Sequence, residues 1–216
     1  MTTAVAAFDF DGTLTAADTF MAFLRFARGP RAAASALARA AVSGTLNPGG
    51  LERRDAIKAN VIAGLLTGAP LDELADAGRR YGAVAAAQVT PEMLELVDQH
   101  RSAGHRIVIV SASLELYLKP AAELLDIGAV LATRLEVGTD GNLTGRFEGA
   151  NCRGPEKLRR LSEWIATFDG PDGSPPVWAY GNSSGDAEMM RSADVATRAR
   201  RGRLRRGQPE PLVAPG

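Results

Sequence analysis

The sequence has one cysteine, Cys152, among 216 residues. No internal disulfide can form, and a reducing, cytoplasmic setting is expected. It has two histidines, His100 and His105. The first falls late in a helical run and the second just before a strand, so both are expected at the surface. With no histidine in a motif, a Ser-His-Asp hydrolase is excluded. No zinc-ligand spacing and no glycine-rich nucleotide loop is present. Net charge is zero, from 25 basic and 25 acidic residues, so global charge argues for neither nucleic acid nor membrane partners. No apolar stretch approaches the roughly 18 residues of a membrane span. Met1-Thr2-Thr3 leads directly into a strand-like run, with no basic, apolar, cleavable segment before it.

What is present is an alternation of strands and helices with one interruption. Ala4–Phe10 reads as a short buried strand followed by Asp-Gly. Four helical runs follow. The first is capped by Asp18, carries Phe20, Phe23, Leu24 and Ala27 at helical spacing, and stops at Gly29-Pro30. The second is alanine-rich, to about Gly44, before the turn cluster Asn47-Pro48-Gly49-Gly50. The third carries Ile57, Val61, Ile62, Leu65 and Leu66, and the fourth starts at Pro70 and runs to about Val89.

The alternation then resumes. Thr90-Pro91 opens a helix that ends at Gly104. Arg106–Val110 is a strand, and Leu114–Leu125 a helix with Pro120 as a kink. Leu131–Val137 and Asn142–Glu148 form a hairpin about Thr139-Asp140-Gly141. Pro155–Phe168 is a helix, Asp169–Pro176 a loop, Val177–Tyr180 a strand and Gly185–Arg191 a short helix. The expected architecture is α/β, with a parallel-sheet core (residues 1–16 and 90–197) and an inserted helical unit (residues 17–89). From Arg198 the chain holds six arginines by Arg206 and reads as a basic, solvated tail over residues 198–216.

Chemistry concentrates where the first strand ends. Asp9 and Asp11 flank Phe10, and Gly12 permits a tight backbone after them. In open α/β sheets ligands bind at the carboxyl ends of strands. One carboxylate there can be a nucleophile and the other a general acid and base; the alternative is a turn whose acids only cap a helix. Ser111-Ala112-Ser113, read as a helix start, offers a hydroxyl and two backbone N–H groups to an anion, or caps that helix. Lys157 would place a cation near the acids. Cys152 lacks a basic partner and reads as loop packing.

Asp9-Phe10-Asp11-Gly12-Thr13 resembles the first motif of the haloacid dehalogenase (HAD) superfamily of phosphatases. Ser111 after its strand resembles the second motif, Gly154-Pro155-Glu156-Lys157 the third, and Gly181-Asn182-Ser183-Ser184-Gly185-Asp186 the fourth. The helical insertion, Thr144-Gly145 and Cys152 resemble the phosphoserine-phosphatase-like branch, subfamily IB. The resemblance implies a Rossmann-like core with a C1-type cap. It implies Asp9 as nucleophile, Asp11 as acid and base, and Ser111, Ala112, Ser113 and Lys157 around the phosphate. It implies Mg²⁺ held by the Asp9 side chain, the Asp11 carbonyl, Asn182 and Asp186. That branch usually has aspartate where this chain has Asn182, which can ligate but adds no charge.

Asp18 falls where such enzymes hold a substrate amine, and Ile62 falls where they hold a carboxylate with arginine. Lys58 and Arg54 lie one and two turns earlier and could substitute. The expected substrate is a small phosphate monoester, an amino-alcohol phosphate such as histidinol phosphate. Phosphoserine hydrolysis, transfer of the phosphoryl group to an acceptor alcohol, and a catalytically silent binding module are the alternatives.

Overall fold

The computed structural model describes residues 3–44, 50–168 and 174–205. Its centre is a five-stranded sheet in the order β3-β2-β1-β6-β7. The strands are β1 (Val5–Phe8), β2 (Arg106–Leu114), β3 (Ala129–Thr133), β6 (Val177–Gly181) and β7 (Val195–Arg198). Every pairing in it is parallel. β1 lies in the middle, with Phe8 opposite Ile109 on one side and Tyr180 on the other. The carboxyl ends of β1, β2 and β6 therefore share one edge.

Successive side chains of a strand point to opposite faces, and β1 is buried on both. Ala4, Ala6 and Phe8 join one apolar cluster, and Val5 and Ala7 join the other. Three alanines and a valine let helices close over both sides. Phe8 stacks on Tyr180 with ring centroids 4.5 Å apart. The larger cluster is continuous from the sheet into the insertion, including Phe23, Leu24, Val61, Ile62 and Leu74 together with Ile109 and Tyr117.

The insertion consists of α1 (Phe20–Arg28), α2 (Pro30–Gly44), α3 (Gly50–Leu66) and α4 (Leu71–Ala86). The break at Gly29-Pro30 and the four helices fall where the sequence places them. The turn cluster at 47–50 lies almost wholly outside the described residues, as does most of the loop at 169–176. α4 packs on α6 (Glu115–Leu124). Pro120 has no N–H for the carbonyl of Leu116, and Gly78 fills the space beside that carbonyl. A Cβ on Gly78 would stand 2.5 Å from the Leu116 oxygen, and one on Gly82 would stand 2.6 Å from Pro120 Cβ.

α5 (Pro91–Ser102) is capped by Thr90, whose Oγ1 accepts from Met93 N. α7 (Pro155–Ala166) and the short α8 (Ala187–Ser192) complete the core. The hairpin of β4 (Leu135–Val137) and β5 (Leu143–Phe147) docks on the link between α3 and α4. There the Leu143 carbonyl accepts from Gly68 N, and Leu143 N donates to the Ala69 carbonyl, each at 2.8 Å. Among the described residues no helix is long and apolar enough to cross a membrane.

Four expectations change. The run Leu131–Val137 is two strands, because the chain leaves the central sheet at Thr133 and enters the hairpin at Leu135. β2 continues to Leu114 by pairing with β3, so Ala112 and Ser113 lie in extended chain and the helix starts only at Glu115. His100 is buried rather than at the surface. Its Nε2 lies 2.7 Å from Tyr180 Oη and its Nδ1 2.8 Å from His105 Nδ1. Finally, the supposed tail begins as structure. Arg198 ends β7, and residues 199–205 fold back on the core. Gly202 carbonyl accepts from Thr90 Oγ1 at 2.5 Å, Gly202 N donates to the Gly12 carbonyl, and Leu204 N donates to Glu92 Oε1.

Candidate active site

The three sheet ends and the insertion enclose a cavity of about 390 Å³. Every site residue expected from the sequence lines it: Asp9, Asp11, Asp18, Ser111, Ala112, Ser113, Lys157, Asn182 and Asp186. Asp9 follows β1, and its N–H donates to the Tyr180 carbonyl at 2.9 Å. The carboxylate is buried. Oδ1 accepts from Lys157 Nζ at 2.7 Å and Oδ2 from Thr13 Oγ1 at 2.8 Å. Lys157 stands in the first turn of α7, 1% exposed, and gives a second bond to Asp186 Oδ1 at 2.6 Å. Thus one ammonium bridges two buried acids contributed by different segments.

Burial pushes Asp9 up to about 7; Lys157 opposes that rise and Asp186 adds to it. Burial also works against the charge of Lys157, but Asp9 and Asp186 outweigh it and hold the ammonium above its ordinary range. For Asp186, burial acts upward and is outweighed by Lys157 and the donors of Ser183, so the acid stays below its usual value. Its Oδ2 accepts from Asn182 N, Ser183 N and Ser183 Oγ at 3.1, 2.8 and 2.8 Å. Both of its oxygens are therefore occupied in holding Lys157 and the loop after β6.

Asp11 is oriented from two sides. Oδ1 accepts from Thr19 N at 2.7 Å and Thr19 Oγ1 at 2.6 Å, and Oδ2 accepts from Ser113 Oγ. Burial and then the Asp18 charge raise its pKa, against these donors. That is the direction a proton donor near neutral pH requires. Ser111 is buried, and its Oγ accepts from Ser113 N at 3.1 Å. Asp18 is exposed, with Oδ1 accepting from Met21 N at 3.2 Å, as a helix cap does.

Gly12 has φ +75°, and a Cβ there would stand 2.1 Å from Asn182 Nδ2. Glycine thus lets Asn182 reach the Asp11 carbonyl, to which its Nδ2 donates at 2.6 Å. The oxygens available to a cation are the Asp9 carboxylate, the Asp11 carbonyl and the Asn182 amide. Among the described residues no three His, Cys, Asp or Glu side chains converge as a metal cluster, so neutral oxygens must supply much of any coordination. Two buried acids share one ammonium while Asp11 lies close by, an excess of negative charge. An all-oxygen set with excess negative charge fits Mg²⁺, which prefers carboxylates, carbonyls and retained waters.

Some of the machinery carries no motif. Thr13 lies within the first motif but gave no sign of its bond to Asp9. Thr19, Tyr117, Asn151 and Asp55 follow no local pattern, because partners of theirs lie 93 to 98 residues away in sequence, and Lys58, a candidate from its helical position, is bonded to Asn151. Tyr117 Oη meets Thr19 Oγ1 at 2.9 Å behind Asp11. Cys152 is buried, its Sγ bonded to the Leu131 carbonyl, and burial pushes the thiol up to about 11. That favours packing over nucleophilic use.

An acid-tipped central strand, a buried lysine between two acids and a helical layer over the cleft define a Rossmann-like α/β hydrolytic enzyme. The family model for haloacid dehalogenase-like hydrolases matches residues 6–191, and the chain belongs to that family. It is 35% identical over 196 residues to protein CicA of Caulobacter vibrioides, covering 88% of this chain and 83% of that one. It is 28% identical over 122 residues to a histidinol-phosphatase of Neisseria meningitidis, covering 56% of this chain and 55% of that one. The fold is similar to the crystal structure of a probable phosphoserine phosphatase from Vibrio cholerae. There the TM-score is 0.66 and the identity 18%, over 91% of this chain and 56% of that chain.

Proposed function

We propose that the protein is a Mg²⁺-dependent phosphatase that hydrolyses a small phosphate monoester through an aspartyl-phosphate. The observation that carries this reading is Lys157 bonded at once to Asp9 and Asp186, with Asp11 held in the same cavity. Asp9 attacks phosphorus and the ester oxygen leaves with a proton from Asp11. Asp11 then takes a proton from the water that opens the aspartyl-phosphate. Ser111 Oγ, held by the Ser113 N–H, and the Ala112 N–H would meet the phosphoryl oxygens, and Lys157 would balance charge beside them. Asp9, the Asp11 carbonyl and Asn182 would hold Mg²⁺, with Asp186 acting through water or by fixing the loop. When bound, the ion neutralises the repulsion between carboxylate and phosphate.

Residues 17–89 act as the cap that selects the alcohol part. Ile62 is fully buried, so no clamp for a substrate carboxylate stands at that place. Asp18 is exposed on the cavity wall, where it suits a substrate amine. These two features, with the histidinol-phosphatase relative, favour an amino-alcohol phosphate over phosphoserine. The buried free thiol of Cys152 suits a cytoplasmic setting. The test is phosphate release from a panel of esters at millimolar Mg²⁺, with and without acceptor alcohols. Selective turnover of an amino-alcohol phosphate supports the reading. Strong preference for phosphoserine overturns the substrate class, and no turnover of any ester overturns the activity.

A further inference from the structure

Lys58 projects from α3 into the same cavity. Its ammonium meets three oxygens: the Ala112 carbonyl, Asn151 Oδ1 at 2.6 Å and Thr133 Oγ1 at 3.4 Å. The rings of Phe20 and Phe147 lie 5.0 and 5.3 Å from it, within cation–π reach. Asp55, on the same helix, accepts from Asn151 Nδ2 at 2.8 Å, so Asn151 turns its oxygen to the lysine. Protonated, the group has three N–H donors, and all three have protein acceptors here; burial pushes its pKa down to about 7 against the Asp55 charge. No donor is left over to clamp a substrate carboxylate.

The acceptor that matters is the Ala112 carbonyl. It shares a rigid peptide plane with the Ser113 N–H, and the two point in opposite directions. That N–H faces Ser111 Oγ, while Ser113 Oγ bonds Asp11. A cation on the carbonyl fixes the plane and, by polarising the amide, strengthens its N–H as a donor. Thr133 Oγ1 supports the same carbonyl from 2.8 Å. Helical order in α3 is thereby linked to the strand end beside the nucleophile.

We propose that Lys58 is a positioning residue that sets the Ala112–Ser113 peptide and, through the Ser113 N–H, the Ser111 hydroxyl that would meet a phosphoryl group. The inference rests on the phosphatase reading for its catalytic consequence, whereas phosphate binding reads it without turnover.

The test compares the full chain with Lys58→Met, Lys58→Arg and Thr133→Val, with Mg²⁺ present. Inorganic phosphate affinity is measured by calorimetry, kcat and KM with p-nitrophenyl phosphate, and folding by circular dichroism. Lys58→Met is expected to weaken phosphate binding about tenfold and lower kcat by at least about tenfold, as a misplaced donor does. Thr133→Val should shift both the same way by less, and Lys58→Arg should recover part of the loss. A purely structural lysine would lower the melting temperature and leave phosphate affinity alone. A folded Lys58→Met protein with phosphate affinity and kcat within about twofold of the parent overturns the proposal. If Lys58→Met does not fold, unchanged phosphate affinity in Thr133→Val overturns it instead. A parent that binds phosphate but hydrolyses no ester refutes the activity and leaves the binding comparison decisive.

Discussion

The amide of Asn182 donates to the carbonyl of Asp11 across 2.6 Å, through a gap that only glycine at position 12 leaves open. Two groups expected to face one cation are thus already in contact. The amide neutralises the carbonyl's demand for a donor but contributes no charge. Replacing the asparagine separates these two roles.

In Asn182→Asp a carboxylate would face the carbonyl, acceptor against acceptor, beside other acids. The variant should melt at lower temperature than the parent without Mg²⁺, and gain more from the ion. The added charge should tighten Mg²⁺ about tenfold, equivalent to about 1.4 kcal/mol. Calorimetric titration with Mg²⁺ and melts with and without it measure both effects. Equal affinity in the two proteins would remove Asn182 from the proposed ligands.

Asp9→Asn keeps the size of the side chain and loses the nucleophile. Turnover should fall by at least about a thousandfold. Lys157→Met should be worse for folding, because Asp9 and Asp186 would be left buried without their cation. Breaking such a pair costs roughly 3–5 kcal/mol. Denaturant unfolding of both variants tests this order, and a Lys157→Met protein as stable as the parent would contradict it.

His100 contributes stability that is lost in mild acid, while Asp9, whose raised pKa makes the folded chain the better proton binder in the same window, acts in the opposite direction. Burial first, and the neighbouring His105 second, push the pKa of His100 down to about 4 from an ordinary value of 6.5. Between these values the unfolded chain binds the proton at His100 and the folded one does not, so this group's contribution to stability rises with pH through the window and is lost as pH falls. The slope from this group approaches about 1.4 kcal/mol per pH unit, for a total of up to about 3 kcal/mol. Urea unfolding of the parent and of His100→Gln at several pH values between 4 and 7 isolates this group's share: the parent's stability relative to the variant should fall as pH falls. A difference between the two proteins that does not change with pH would assign the acid sensitivity elsewhere.

Gly78→Ala tests the contact of α4 with α6. Alanine favours a helix over glycine by about 1 kcal/mol, so on propensity alone the change would stabilise. The new Cβ would meet a backbone oxygen at 2.5 Å, and backbone cannot rotate away as a side chain can. Overpacking of this kind costs about 1–3 kcal/mol, so net destabilisation in denaturant unfolding is expected. A more stable variant would show that the two helices can separate without penalty.

Strand and helix order was legible because each element carries its own period and its own stops, as at Gly29-Pro30 and Thr90-Pro91. Asp9, Asp11, Ser111, Lys157 and Asn182 were legible because each sits at an element end, inside a short motif. Others had no local signal. β7 is four residues long and is recognisable only by its pairing with β6. The extension of β2 through Ser113 depends on β3, twenty residues away. The burial of His100 follows from Tyr180 rather than from its own helix. Residues 199–205 looked like a tail because arginine density suggests solvent, yet backbone bonds to Gly12, Thr90 and Glu92 order them. Lys58 looked like a candidate for the substrate, and only its three partners show that it is engaged by the protein.

The apolar cluster that runs unbroken from β1 and β2 into α1, α3 and α4 has a further consequence. The helical layer cannot melt as a separate lid, since its inner face is also the wall of the sheet's own interior. Denaturation should therefore be a single cooperative event, and a fragment holding either half alone would present a broad greasy surface to water and to its neighbours.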